Sequence, residues 1–290
     1  MRLVRAELLK MRRRQATYVV LFVALILMAI TYMLTGQTMG VLQGAITFPT
    51  AYGLIGQFAF GLGGLMAVVY SAAIVGADWN WGVLRNVVAR GESRVNYLLA
   101  KAIALAIVLA IAMLIIFAVG IVLTYLTGWL YGVPVSSPLR GRGLQDLFDW
   151  LVLGYPVLLQ RAALGFAVAV ILRSQLAGAV VGIVLYVGEA VITATLTLAT
   201  LAGRFGGAFD PDGGINFEPI GPEWFQFLPI SIGGNVLNAA PGGAAASASG
   251  GLEQLFLRSV PLELALPIVI VYLIVSIGAA IIALLRQEIV

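Results

Sequence analysis

Cysteine and histidine are both absent from this chain of 290 residues. Their absence excludes disulfide frameworks, thiolate or imidazole metal sites, and every nucleophilic mechanism built on a histidine base. Charge is scarce as well, at 10% Asp, Glu, Lys and Arg against roughly 25% in a soluble domain. No Gly-x-x-x-x-Gly-Lys-Ser/Thr phosphate loop occurs, so any ATP that drives this protein is bound by another chain. What fills the sequence is hydrophobic: 61% of residues, with a mean hydropathy of +1.03. Such a composition is that of a polytopic, all-α membrane protein. The net charge of +4 does not point to nucleic acid, because the basic residues sort by membrane side.

The expected organisation is one transmembrane domain over residues 1–290. Residues 1–15 carry Arg2, Arg5, Lys10, Arg12, Arg13 and Arg14 and place Met1, Val4, Leu8 and Met11 on one helical stripe. This pattern predicts an amphipathic helix lying in the interface, basic side toward lipid phosphates. Apolar runs predict spans at 16–34, 52–77, 102–126, 150–172, 176–203 and 264–285. The first lacks the short core and small-residue cleavage site of a signal peptide and is read as retained. Glycine crowds the second span (Gly53, Gly56, Gly61, Gly63, Gly64, Gly76), which predicts close helix approach, either within one subunit or at a subunit interface. Arg173-Ser-Gln175 is short enough to make spans four and five an antiparallel hairpin.

Six spans put both termini on one side. The segments on that side hold twelve Lys or Arg: the six before the first span, then Arg85, Arg90, Arg94, Lys101, Arg173 and Arg286. The other side holds four, Arg140, Arg142, Arg204 and Arg258. This asymmetry predicts cytoplasmic termini in a cell membrane.

Residues 78–94 then form a cytoplasmic loop with helix-like content. Val83, Leu84, Val87 and Val88 share a face, Arg85 and Arg90 lie beside them, and Gly91 is placed to terminate. Trp79 and Trp81 are costly to leave in water, so a short helix docked in a groove of another protein accounts for the stretch better than a plain solvated loop does. On the outer side, residues 204–263 include Trp224, Phe225, Phe227 and Pro229, a composition that settles at an interface, and an Ala/Gly/Ser tail. Asp210-Pro-Asp212 lacks the later ligands of a calcium loop and reads as a turn.

Two ionisable residues fall inside spans, where charge is expensive. Arg161 lies twelve residues before Arg173, and Glu189 fourteen after Gln175. At about 1.5 Å per residue, both sit roughly 18–21 Å from the same surface. They are placed to pair, as a structural staple or as a polar element lining a path. Thr193, Thr195, Thr197 and Thr200 either extend that path or bond back to their own helix.

Several of these stretches resemble the permeases of type-2 ABC transporters. Arg5-Ala-Glu-Leu-Leu-Lys-Met-Arg-Arg-Arg14 looks like their amino-terminal elbow helix. Trp81-Gly82-Val83-Leu84-Arg85, Ala89-Arg-Gly-Glu-Ser-Arg94 and Leu98-Leu-Ala-Lys101 are similar to their Gly-Thr-Leu-Arg, Ala-Arg-Gly-x-x-Arg and Leu-x-Ala-Lys pattern, and Phe227-Leu-Pro-Ile precedes the last span. The resemblance implies six spans per subunit and a second permease subunit. It also implies two ATPase subunits that carry ATP and magnesium, export of substrate, and a coupling helix at Trp81 to Gly91. Val83 departs from the commoner Thr. It further implies re-entrant or gate helices before the sixth span. The alternatives are a carrier or membrane enzyme working alone, for which the spans offer only Arg161 and Glu189, and a membrane anchor for a partner.

Overall fold

The computed structural model describes residues 2–37, 47–80, 91, 93–138, 142–207, 223–241 and 260–286. No strand occurs among them. The helices are α1 (Arg2–Arg13), α2 (Gln15–Gln37), α3 (Thr50–Gly56), α4 (Gly63–Asn80), α5 (Arg94–Tyr131), α6 (Gly143–Leu172), α7 (Gln175–Gly207), α8 (Pro229–Asn238) and α9 (Leu262–Arg286). A π-helical segment, Gln57–Leu62, joins α3 to α4 into one continuous rod. A 3-10 turn, Glu223–Phe227, leads into α8.

Six segments are long and apolar enough to cross a membrane: Gln15–Leu34, Thr50–Trp79, Arg94–Tyr131, Gly143–Leu172, Gln175–Thr195 and Leu262–Arg286. The chain is therefore a multi-pass membrane protein. Its centre is the α3–α4 rod against α6. Their most apolar windows are 56% and 61% buried, against 11% for α7, so these two spans form the core and the others surround it.

Small residues make that contact possible. A Cβ at Gly154 of α6 would strike the Phe60 ring, and one at Gly165 would strike the Val68 carbonyl. Phe60 in turn stacks on Trp150 at 6.1 Å. Lipid supplies no hydrophobic force between helices, so such close approach is where packing energy is gained. The second-span glycines serve the same purpose: Gly56 faces Trp150, Gly64 faces Arg161, and Gly76 lies against the backbone of Ser174 and Gln175.

The α6–α7 hairpin turns where Arg173 takes a left-handed conformation (φ 54°). Ser174 Oγ then accepts the Ala177 N–H at 3.2 Å, capping α7.

Two elements carry more than the sequence pattern alone gave. The α1 stripe rests on protein: Met11 is buried, Val4 and Leu8 pack on the same core, and α1 lies along α5. In α5, the helix begins at Arg94, so Lys101 sits within it, in its second turn. The reason is that Tyr97, Leu98, Lys101 and Leu105 lie on one buried face, which continues the helix beyond the apolar run that gave the expected boundary.

Candidate functional site

Two polar centres occupy opposite parts of the bundle. The first lies at the end where α1, α4 and α5 meet. Asp78, 2% exposed, accepts from Lys10 Nζ at 2.9 Å and from Tyr97 Oη at 2.7 Å, and its other close partner is Lys101. Glu7 stands 3.3 Å from Lys101 Nζ and 3.6 Å from Lys10 Nζ. Lys101 also donates to the Ile74 carbonyl at 3.4 Å and lies 5.4 Å from the Tyr97 ring centroid. With two carboxylates facing two ammonium groups, the charges cancel locally, which is the condition under which a buried ion cluster persists.

This cluster has a definite mechanical position. Asp78 is in the last turn of α4 and Lys101 in the second turn of α5, so the two stems flanking residues 81–93 are tied to each other and both to α1. Residues 81–90, holding Trp81, Gly82, Val83, Leu84, Arg85, Val87, Val88 and Arg90, lie outside the described residues. At the edges of that stretch, Trp79 is half-buried against the core, Gly91 has φ 79° in the left-handed region, and Arg94 begins α5.

The second centre lies between α6, α7, α8 and the π segment. Arg161, 3% exposed, donates through Nη1 to the Phe60 carbonyl. The Tyr186 hydroxyl donates to the next carbonyl, Gly61, at 2.7 Å, and its ring centroid lies 5.5 Å from the guanidinium carbon. A π turn shifts hydrogen bonding from i+4 to i+5 and takes carbonyls away from their α-helical donors; the Gly63 N–H closes back on the Phe58 and Phe60 carbonyls, and side chains supply further donors. Arg161 and Tyr186 fill that role. Gly64 leaves room for them, since a Cβ there would come within 2.7 Å of Arg161 Nη1 and 3.2 Å of Tyr186 Oη.

Glu189 does not pair with Arg161. Its Oε1 accepts the N–H groups of Ile230 at 2.8 Å and Ser231 at 2.7 Å, the second and third positions of α8. Helix α8 cannot cap itself, because Leu228 has no side-chain acceptor there and Pro229 has no N–H to offer. The carboxylate of a distant helix supplies the cap, and its negative charge meets the positive end of the α8 dipole. Gln160 Nε2 completes the junction by donating to the Pro229 carbonyl at 3.0 Å. Thr193 donates to the Glu189 carbonyl of its own helix at 2.8 Å, and Thr195 to Ile192 at 2.9 Å.

Of the outer aromatic group, Phe225 is buried while Trp224 and Phe227 are exposed, and Pro229 opens α8. Sequence reasoning missed Glu7, Tyr97 and Tyr186. For Glu7 a signal existed: position 7 falls on the same face as Val4, Leu8 and Met11, an acid on an apolar stripe. Among the described residues no group of three Asp, Glu, His or Cys is placed to hold a metal ion. In both centres the ionisable side chains are engaged with partners on other helices and so hold those helices together.

A family model described as "ABC-2 family transporter protein" matches residues 3–189. The match takes in all five residues of the first centre and ends on Glu189. No curated protein matches the chain significantly.

Proposed function

The chain belongs to the ABC-2 transporter family and is a permease component of an ABC transporter, and from that premise we propose that it carries an ATPase-driven export cycle. Two ATPase subunits bind ATP and magnesium, and a second permease subunit completes the pore. Residues 81–91 enter the ATPase as a coupling helix, on the cytoplasmic side of the cell membrane with both termini. Closure of the ATPase dimer on ATP pushes that helix.

The observation that carries this reading is the buried Glu7–Lys10–Asp78–Lys101 cluster with Tyr97. It joins both stems of the coupling stretch to α1, so a push delivered at residues 81–91 reaches α4 and α5 as one body. Helix α4 packs along α6 and α7, and α6 and α7 hold α8 through Gln160 and Glu189. Force has a continuous path of packed elements from the coupling stretch to the helix before the last span. In this cycle Trp224, Phe225, Phe227 and Pro229 form the outer gate, and Arg161, Glu189 and Thr193 border the path.

Co-purification with the ATPase tests the coupling role. Leu84→Asp puts a charge on the aliphatic face and is expected to lower ATPase capture at least tenfold, a loss of about 1.4 kcal/mol or more, while the permease stays monodisperse. Undiminished capture together with permease-stimulated ATP hydrolysis would remove residues 81–91 from coupling.

A further inference from the structure

A cavity of about 340 Å³ lies between α1, α2, α4 and α5, and nothing in the two polar centres uses it. Its inner wall is buried: Ala24 of α2, Ala59 of the π segment, Ala67 and Tyr70 of α4, and Leu109 of α5. Its rim carries Tyr18 of α2 and Ile111 of α5, 57% and 52% exposed, so the cavity opens sideways between those two spans. The hydroxyls inside are already satisfied. Thr17 donates to the Met11 carbonyl at 2.8 Å and shares a hydrogen bond with Tyr70 Oη at 2.7 Å. A cavity whose inner hydroxyls are partnered with each other and with backbone has little in its interior to hold water.

Length and charge identify the occupant. Lining positions on the second span run from Ala59 to Tyr70, roughly 16 Å at 1.5 Å per residue, which is about half of a hydrocarbon core ~30 Å thick. The groove is therefore one leaflet deep. A transmembrane helix about 10 Å across would fill on the order of 1,000 Å³ over that length, more than the cavity's volume of about 340 Å³, whereas a single hydrocarbon chain is far slimmer. At the α1 end the lining includes the exposed Arg12, which makes no ion pair among the described residues, the carboxylates Glu7 and Asp78 being engaged with Lys10 and Lys101. Exposed Arg13 stands next to it.

We propose that this groove is a binding site for an anionic phospholipid of the leaflet that α1 faces, one acyl chain seated between α2 and α5 and the phosphate on Arg12. Electron spin resonance with nitroxide-labelled phosphatidylglycerol and phosphatidylcholine, on the full chain in phosphatidylcholine bilayers without the ATPase, reads occupancy directly. The motionally restricted fraction is expected to favour phosphatidylglycerol by about fivefold, the selectivity of one basic residue at an anionic surface. Arg12→Gln, at an exposed position, is expected to bring the two lipids to parity, and Ala112→Phe, which fills the groove, to lower the restricted fraction of both. Equal restriction of the two lipids by the native chain would overturn the proposal, as would selectivity that survives Arg12→Gln. Stronger self-association of the native chain on lipid removal would assign the groove to a second copy instead and overturn it too.

Discussion

Glu189 shows how one side chain can hold an element that the local sequence leaves unfinished. Two amide N–H groups at the start of α8 face a carboxylate supplied from 41 residues earlier in the chain. Charge-assisted hydrogen bonds contribute roughly 1.5–3 kcal/mol each where they are buried. Glu189→Gln keeps an acceptor and loses the charge, while Glu189→Ala leaves both amides unmet. Hydrogen exchange at Ile230 and Ser231 is expected to rise about tenfold in the first variant, and further in the second, the loss of one such bond corresponding to ~1.4 kcal/mol or more. Unchanged protection in the alanine variant would show that α8 is held by packing alone. Arg161 plays the complementary part on the other side of the junction, donating to the Phe60 carbonyl of the π segment.

At the scale of elements, the α4–α6 contact is set by backbone approach. Gly165 lies against the Val68 carbonyl, a group that cannot swing aside, whereas Gly278 of α9 has open space where a Cβ would go. Gly165→Ala is accordingly expected to lower unfolding stability in detergent by about 1–3 kcal/mol, the usual cost of overpacking. Gly278→Ala, in the same experiment, is expected to change it by no more than about 0.5 kcal/mol or to raise it slightly. The contrast separates a packing role from the general cost of altering a transmembrane glycine.

The whole molecule depends on three parts meeting at Asp78. Removing that carboxylate by Asp78→Ala leaves Glu7 alone to face both Lys10 and Lys101, the latter 1% exposed, so that one buried positive charge goes uncompensated, and is expected to cost roughly 3–5 kcal/mol. Asp78→Leu combined with Lys101→Met removes both charges together and is expected to recover most of the loss, with melting in detergent as the readout. A double variant no better than the single one would mean that shape rather than charge holds α1 to the stems.

Much of this architecture was legible beforehand. Lipid demands uninterrupted apolar runs, so the six spans announced themselves, and Arg173-Ser-Gln175 left no room for anything but a hairpin. The polar centres were harder to read. Glu189 and Arg161 stood out as charges at similar depth, yet each found a backbone partner on an element whose position no local pattern encodes. Lys101 looked like the end of a loop because its compensation comes from Glu7 and Asp78, on helices that meet α5 only in the fold. Nor does the string Gln-Phe-Ala-Phe-Gly-Leu spell a π turn; its glycine neighbours hint at irregularity without saying which kind.

That π segment has one more consequence. Each residue of an α-helix advances the chain by about 100° around its axis, and an i+5 closure takes up one residue more than an i+4 closure. Gln57–Leu62 therefore sets the angular phase between the two halves of the second span: the half at Gly56 that meets Trp150, and the half that ends at Asp78. Were the same residues closed there as an ordinary helix, with none removed, Asp78 would rotate about a quarter of a turn away from Lys101 while Gly56 kept its place. The irregularity acts as the key that lets a single rod fit a lock at each end.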